Sequence, residues 1–124
     1  MERKTLLSCA LFNGLSYQEI SLLLGCVGAR YRRMLAGTSM CTDRIIVVLS
    51  GELVVWDKRC GSGTVLVSGG RPRYVAAMAQ SEAFFINYKR LIAACGNSCG
   101  MHKTVIANLM RVCHAAENAD VRRI

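Results

Sequence analysis

Residues 45–55 read Ile-Ile-Val-Val-Leu-Ser-Gly-Glu-Leu-Val-Val, and this stretch decides the fold class. Its first half is a β-branched run that favours a pleated, buried environment, and Leu53 to Trp56 continue the same preference. Two short strands are therefore expected, joined at Ser50-Gly51, where glycine supplies backbone freedom and Glu52 faces water. The core is a β-core, and its neighbours must supply the remaining strands.

On the C-terminal side, residues 58–63 (Lys-Arg-Cys-Gly-Ser-Gly) read as a hairpin loop by their glycine content. Residues 64–67 make a further strand, and Ser68-Gly69-Gly70-Arg71-Pro72-Arg73 a second loop. Two more strands follow at 74–78 and 83–86. After Asn87 the period changes to a short helix over 88–94, closed by Gly96-Asn97. A longer helix is expected from Met101 to about Ile124. Its apolar positions Val105, Leu109, Val112 and Ala116 follow a 4-3-4 spacing, a stripe wide enough for the body and a second copy of the chain.

On the N-terminal side, Arg30-Tyr31-Arg32-Arg33-Met34 alternates loosely, as an edge strand guarded by charge would. A turn follows at 36–38, and Met40-Cys41-Thr42-Asp43 stands before Ile45. Further back, Ser16 and Glu19 form a capping box, with Leu15 and Ile20 in hydrophobic-staple positions. That helix runs through Ile20, Leu23, Leu24 and Val27, and residues 6–12 make one or two helical turns before it. The order of helices, strands and helices makes the chain α+β: about 1–28 helical, 29–86 β, and 87–124 helical again.

With 124 residues and 52% hydrophobic composition, the chain is one domain with a sizeable core, which excludes disorder. No apolar run approaches the ~20 residues that span a bilayer. The apolar N-terminal segment is short and runs into a helix start, so a cytoplasmic protein without a membrane partner is expected. Seven scattered cysteines fit no disulfide framework and read mostly as small buried hydrophobes. A net charge of +8 suits a negatively charged partner such as nucleic acid, or equally a solvated basic surface.

Several stretches together resemble the cyclic nucleotide-binding-like sensor domain of the CRP/FNR family of bacterial transcription regulators. They are Leu11-Phe12-Asn13-Gly14-Leu15-Ser16, Ile46-Val47-Val48-Leu49-Ser50-Gly51-Glu52-Leu53, Ser81-Glu82-Ala83-Phe84-Phe85-Ile86 and Leu109-Met110-Arg111-Val112. The resemblance covers most of the chain in the right order. It implies a cupin-like antiparallel β-roll (jelly roll) flanked by helices, a long C-terminal dimerisation helix carrying Val105, Leu109, Val112 and Ala116, and a homodimer or a heterodimer with a full-length relative. It also implies a cyclic nucleotide or other small anionic effector, bound in a cassette where helix-end amides and an arginine hold the phosphate.

The chain departs from that pattern in two places. Arg71 falls where the phosphate-binding arginine would sit, but Pro72 replaces the hydroxyl residue after it, and Ser68-Gly69-Gly70 replaces a much longer segment. Gly69, Gly70, Arg71 and Arg73 are the candidate ligand-binding residues, either as a small anion nest or as a solvated turn. Family members continue into a helix-turn-helix domain, whereas this chain stops at Val121-Arg122-Arg123-Ile124, so DNA would be reached only through a missing domain.

Other constellations weigh less. Cys95, Cys99, His102 and Cys113 invite a metal reading, but the usual Cys-x-x-Cys pair is absent and a structural role is preferred, leaving no metal assigned. Ser50 lacks the flanking glycine of a nucleophile elbow and the carboxylates are scattered, so no enzyme is expected. Arg30, Arg32, Arg33, Arg71 and Arg73, interleaved with Tyr31 and Tyr74, form either a phosphate-attracting face or a charged sheet edge. The leading function is an effector-sensing, dimerising domain with a degenerate cassette; the alternatives are a cupin-like interaction module without a ligand and a Cys/His metal protein.

Overall fold

The computed structural model describes residues 2–55, 58–68, 71–93, 100–114 and 121–123. Two helices open the chain, α1 (Glu2–Ser8) and α2 (Tyr17–Cys26), with a 3₁₀ turn (Ala10–Phe12) between them. The capping box at Ser16 is present in both directions. Glu19 N–H donates to the Ser16 hydroxyl at 3.2 Å, and the Ser16 N–H donates to the Glu19 carboxylate at 3.0 Å. Eight strands follow: β1 (Arg30–Met34), β2 (Ser39–Thr42), β3 (Ile45–Ser50), β4 (Leu53–Val55), β5 (Lys58–Cys60), β6 (Val65–Val67), β7 (Arg73–Ala77) and β8 (Ser81–Ile86). Then come α3 (Tyr88–Ile92), α4 (Gly100–His114) and a last strand, β9 (Val121–Arg123).

The strands form two sheets, ordered β1-β8-β3-β6-β9 and β2-β7-β4-β5. All pairs are antiparallel except β6 with β9. The fold is thus the α+β roll of two antiparallel sheets expected from the sequence. The five-stranded sheet is the middle layer. Ile45, Val47 and Leu49 of β3 pack with Leu11, Phe12, Ile20 and Leu91 of the helical layer. Ile46 and Val48 pack with Leu53, Leu66, Val75 and Phe85 between the sheets. Burial on both faces is why β3 reads as a continuous apolar run without alternation.

The Ser50-Gly51 joint is a corner, since β3 and β4 belong to different sheets. Gly51 adopts φ +85°, a region open to glycine, and a Cβ there would lie 2.3 Å from the Ser81 hydroxyl oxygen and 2.5 Å from the Gln80 carbonyl oxygen.

Two sequence expectations need correction. Lys58–Cys60 is a strand, paired Leu53 to Cys60 and Val55 to Lys58. Cys60, buried in the intersheet core, behaves as a small hydrophobe and holds this stretch to the sheet. The described part of the C-terminal helix is Gly100–His114, and the helix does not reach Ile124, for Val121–Arg123 is extended and pairs with β6. An open sheet edge presents backbone donors and acceptors that a passing extended segment satisfies, and Val121 suits that role. Among the described residues no helix is long and apolar enough to cross a membrane.

Candidate functional site

The loop after β6 is anchored at its start. Ser68 is buried, and its hydroxyl donates to the Asp43 carbonyl at 3.4 Å, tying the loop to the β2–β3 turn. The Arg71 N–H donates to the Ser68 carbonyl at 3.3 Å, which closes a tight turn and leaves the Arg71 side chain exposed. Arg73 lies in β7 opposite Thr42, and its guanidinium donates to the Pro72 carbonyl at 3.0 Å. Gly69 and Gly70 fall outside the described residues.

The same turn borders a cleft of about 720 Å³ between the two sheets. β1 and β2 are edge strands of different sheets, and they form its two sides. In antiparallel pairs, directly opposed residues share a face. Arg30 opposes Phe85 and Arg32 opposes Ala83, so both arginines project on the face that carries the intersheet core. Met40 opposes Val75 and Thr42 opposes Arg73 on the facing sheet. Arg44 and Pro72 complete one end of the lining. The Arg32 guanidinium carbon sits 6.0 Å from the Phe85 ring centroid, and Nη1 lies 4.0 Å from the Met40 sulfur.

The basic face expected from the sequence is therefore divided. Arg30 and Arg32 line the cleft together with Arg44, whereas Arg33 opposes Glu82 on the alternate register. Tyr31 donates its hydroxyl to the Glu82 carboxylate and packs edge-on against Phe84, with ring centroids 5.9 Å apart. That hydrogen bond, joined by desolvation and the Glu82 charge, raises the Tyr31 pKa above its ordinary value. Tyr74 is exposed, and Arg71 stays outside the cleft. Arg44 and Thr42 were not among the sequence candidates.

The remaining candidates resolve differently. His102 is buried in α4, and its Nε2–H donates to the Leu91 carbonyl, so the imidazole is held by backbone between α3 and α4. Cys95, Cys99 and the Cys113 side chain fall outside the described residues. Val105 and Leu109 pack into the chain's own core with Leu11 and Phe12, exposed by 0% and 2%. Both were expected at a dimer interface; instead they seat α4 on the body, and their side chains are not surface available to a second copy. The side chains of Val112 and Ala116 lie outside the described residues.

No family model and no curated protein matches the sequence. Solved structures do. A cyclic nucleotide-binding domain from Methylobacillus flagellatus KT superposes with a TM-score of 0.68 at 16% identity, over 88% of this chain and 74% of that one. The N-terminal domain of a transcriptional regulator from Streptomyces coelicolor A3(2) gives 0.66 at 14% identity, over 86% and 88%. The Thermus thermophilus catabolite activator protein gives 0.61 at 16% identity, over 84% of this chain and 56% of that one.

The fold is a CRP/FNR-like cyclic nucleotide-binding fold. Within it, the roll, the turn after β6 and the short helix after β8 stand in the order the resemblance implied. The neighbours named above are a cyclic nucleotide-binding domain, a domain of a transcriptional regulator and an activator protein.

Proposed function

We propose that this chain is the effector-sensing and dimerising domain of a CRP/FNR-like transcription regulator, with a reduced phosphate-binding cassette. The observation that carries the reading is the whole-domain likeness to the Streptomyces coelicolor regulator domain, mutual over 86% and 88% of the two chains. The effector is a cyclic nucleotide or another small anion, received at the Gly69-Gly70-Arg71 turn with Arg73 beside it. Ligand binding would shift the balance between two placements of the α4 helices in a homodimer, or in a heterodimer with a longer relative, and so act on DNA through an attached domain. The competing reading, an interaction module that needs no ligand, draws on the shortness of the turn, which leaves five residues between Val67 and Arg73.

Thermal unfolding of chelator-treated protein with a panel of cyclic nucleotides separates the two. A ligand at a hundred times its dissociation constant stabilises the folded state by ~2.7 kcal/mol, a shift lost in Arg71→Ala if the turn is the site. No shift with any cyclic nucleotide, together with a midpoint that rises with protein concentration, would replace sensing with dimerisation alone.

A further inference from the structure

We propose that the cleft between β1 and β2 is itself a binding site for a small phosphate-bearing molecule, held by Arg30, Arg32 and Arg44; the anionic character of the effector is where this rests on the sensor reading above. Its volume of about 720 Å³ lies within the range of small-molecule sites, and it is far larger than a bare phosphate ion. An ester carrying an organic group fits that space better than the free ion.

The charge pattern selects the ligand. Three guanidinium groups line the cleft against one carboxylate, that of Asp43. Among the described residues no carboxylate forms an ion pair with Arg30, Arg32 or Arg44. Like charges gathered at one concave surface repel each other, and an anion placed among them removes that cost while gaining forked, charge-assisted hydrogen bonds. Arginine suits phosphate better than lysine does, because its planar fork meets two oxygens at once.

Part of the site is already arranged. Phe85 is buried with its ring facing the Arg32 guanidinium carbon at 6.0 Å, and the Met40 sulfur lies 4.0 Å from Arg32 Nη1. Thr42 accepts the Arg44 N–H at 3.1 Å, which fixes the backbone that carries Arg44 and leaves the Thr42 hydroxyl hydrogen to be donated. Side chains ordered before binding lose less freedom when the ligand arrives. Arg71 is not part of the lining, so this site and the turn can be separated by mutation.

The experiment is calorimetric titration of the whole chain with 5′-AMP and with pyrophosphate, with adenosine as the uncharged control. Arg32→Gln and Arg44→Gln are each expected to weaken binding of the phosphate probes by about tenfold or more, the usual worth of a charged hydrogen bond. Arg59→Gln on the exposed strand β5 is expected to change it by less than about threefold. Tighter binding of 5′-AMP than of pyrophosphate would assign the site to an ester; the reverse would overturn the reading of the cleft as a site for a phosphate ester. Equal loss in Arg59→Gln would reduce the effect to diffuse charge and overturn the site, as would equal binding of adenosine. Loss in Arg71→Ala alone would move the anion to the turn, overturning this inference and upholding the sensor reading. If neither probe binds while a cyclic nucleotide still raises the unfolding midpoint, the cleft is excluded and the sensor domain stands.

Discussion

Gly51 carries a constraint out of proportion to its size. It turns the chain from the middle sheet into the outer one at φ +85°, with Ser81 against its α-carbon face. Ser81 in turn accepts the Glu52 N–H at 3.0 Å and donates to the Ala79 carbonyl at 2.8 Å, so the corner is braced by a single buried hydroxyl. Replacing Gly51 by alanine imposes left-handed strain of about 1–2 kcal/mol. It also forces a methyl group into Ser81 and the Gln80 backbone, an overpacking cost of about 1–3 kcal/mol. Gly51→Ala should therefore lose at least ~2 kcal/mol in chemical denaturation. A variant within ~0.5 kcal/mol of the parent would mean that the corner relaxes freely and is not braced.

At the scale of elements, the edge strand β1 is held to β8 by a cross-strand set of Tyr31, Phe84 and Glu82. The phenol donates to the Glu82 carboxylate, and this favours the protonated phenol. Because the folded pKa lies above the unfolded value of 10.0, the contribution to stability is complete below about pH 10 and is lost as pH rises through the folded value. An ultraviolet difference titration between the parent and Tyr31→Phe should give a phenolate step with its midpoint above 10, and Glu82→Gln should bring that step down. A Tyr31 step unmoved by Glu82→Gln would remove the pair from the account of how β1 is held.

Elements written in local chemistry were legible in advance. The apolar run of β3, the capping box at Ser16, and the charged edge strand at Arg30–Met34 each carry their own signal. Lys58–Cys60 and Val121–Arg123 do not. Both become strands through the hydrogen bonds that neighbouring strands offer, a tertiary effect that a basic, glycine-flanked stretch does not announce. The candidate site was legible in the same uneven way. Arg30, Arg32 and the turn at Arg71 were visible as basic residues, but their division between cleft, loop and outer face depends on register, which composition leaves undetermined. Arg44 joins the group because the consecutive strands β1 and β2 run at facing edges of different sheets.

The whole molecule turns on how α4 is seated. Its buried residues pack on the N-terminal 3₁₀ turn, and the Asn108 side-chain amide donates to the carbonyls of Leu11 at 3.0 Å and Asn13 at 2.8 Å. This closes the two ends of the chain onto each other, so α4 belongs to the fold before it belongs to any interface. Met110, one residue beyond Leu109, is 55% exposed and points away from that core. The two positions should therefore separate folding from assembly. Leu109→Ala should cost about 2–5 kcal/mol of unfolding free energy, as a large-to-small change in a closed core does. It should leave the self-association constant of the folded protein unchanged. Met110→Lys should do the opposite, keeping the unfolding midpoint of dilute protein and weakening association in sedimentation by about tenfold, the effect of ~1.4 kcal/mol lost at a contact. Were Leu109→Ala to dissociate a dimer without lowering stability, α4 would have to leave the body on assembly, and the seat described by Asn108 would be a resting state of the proposed sensor. Were neither variant to alter association, the surface joining two copies would lie elsewhere than on the described part of α4.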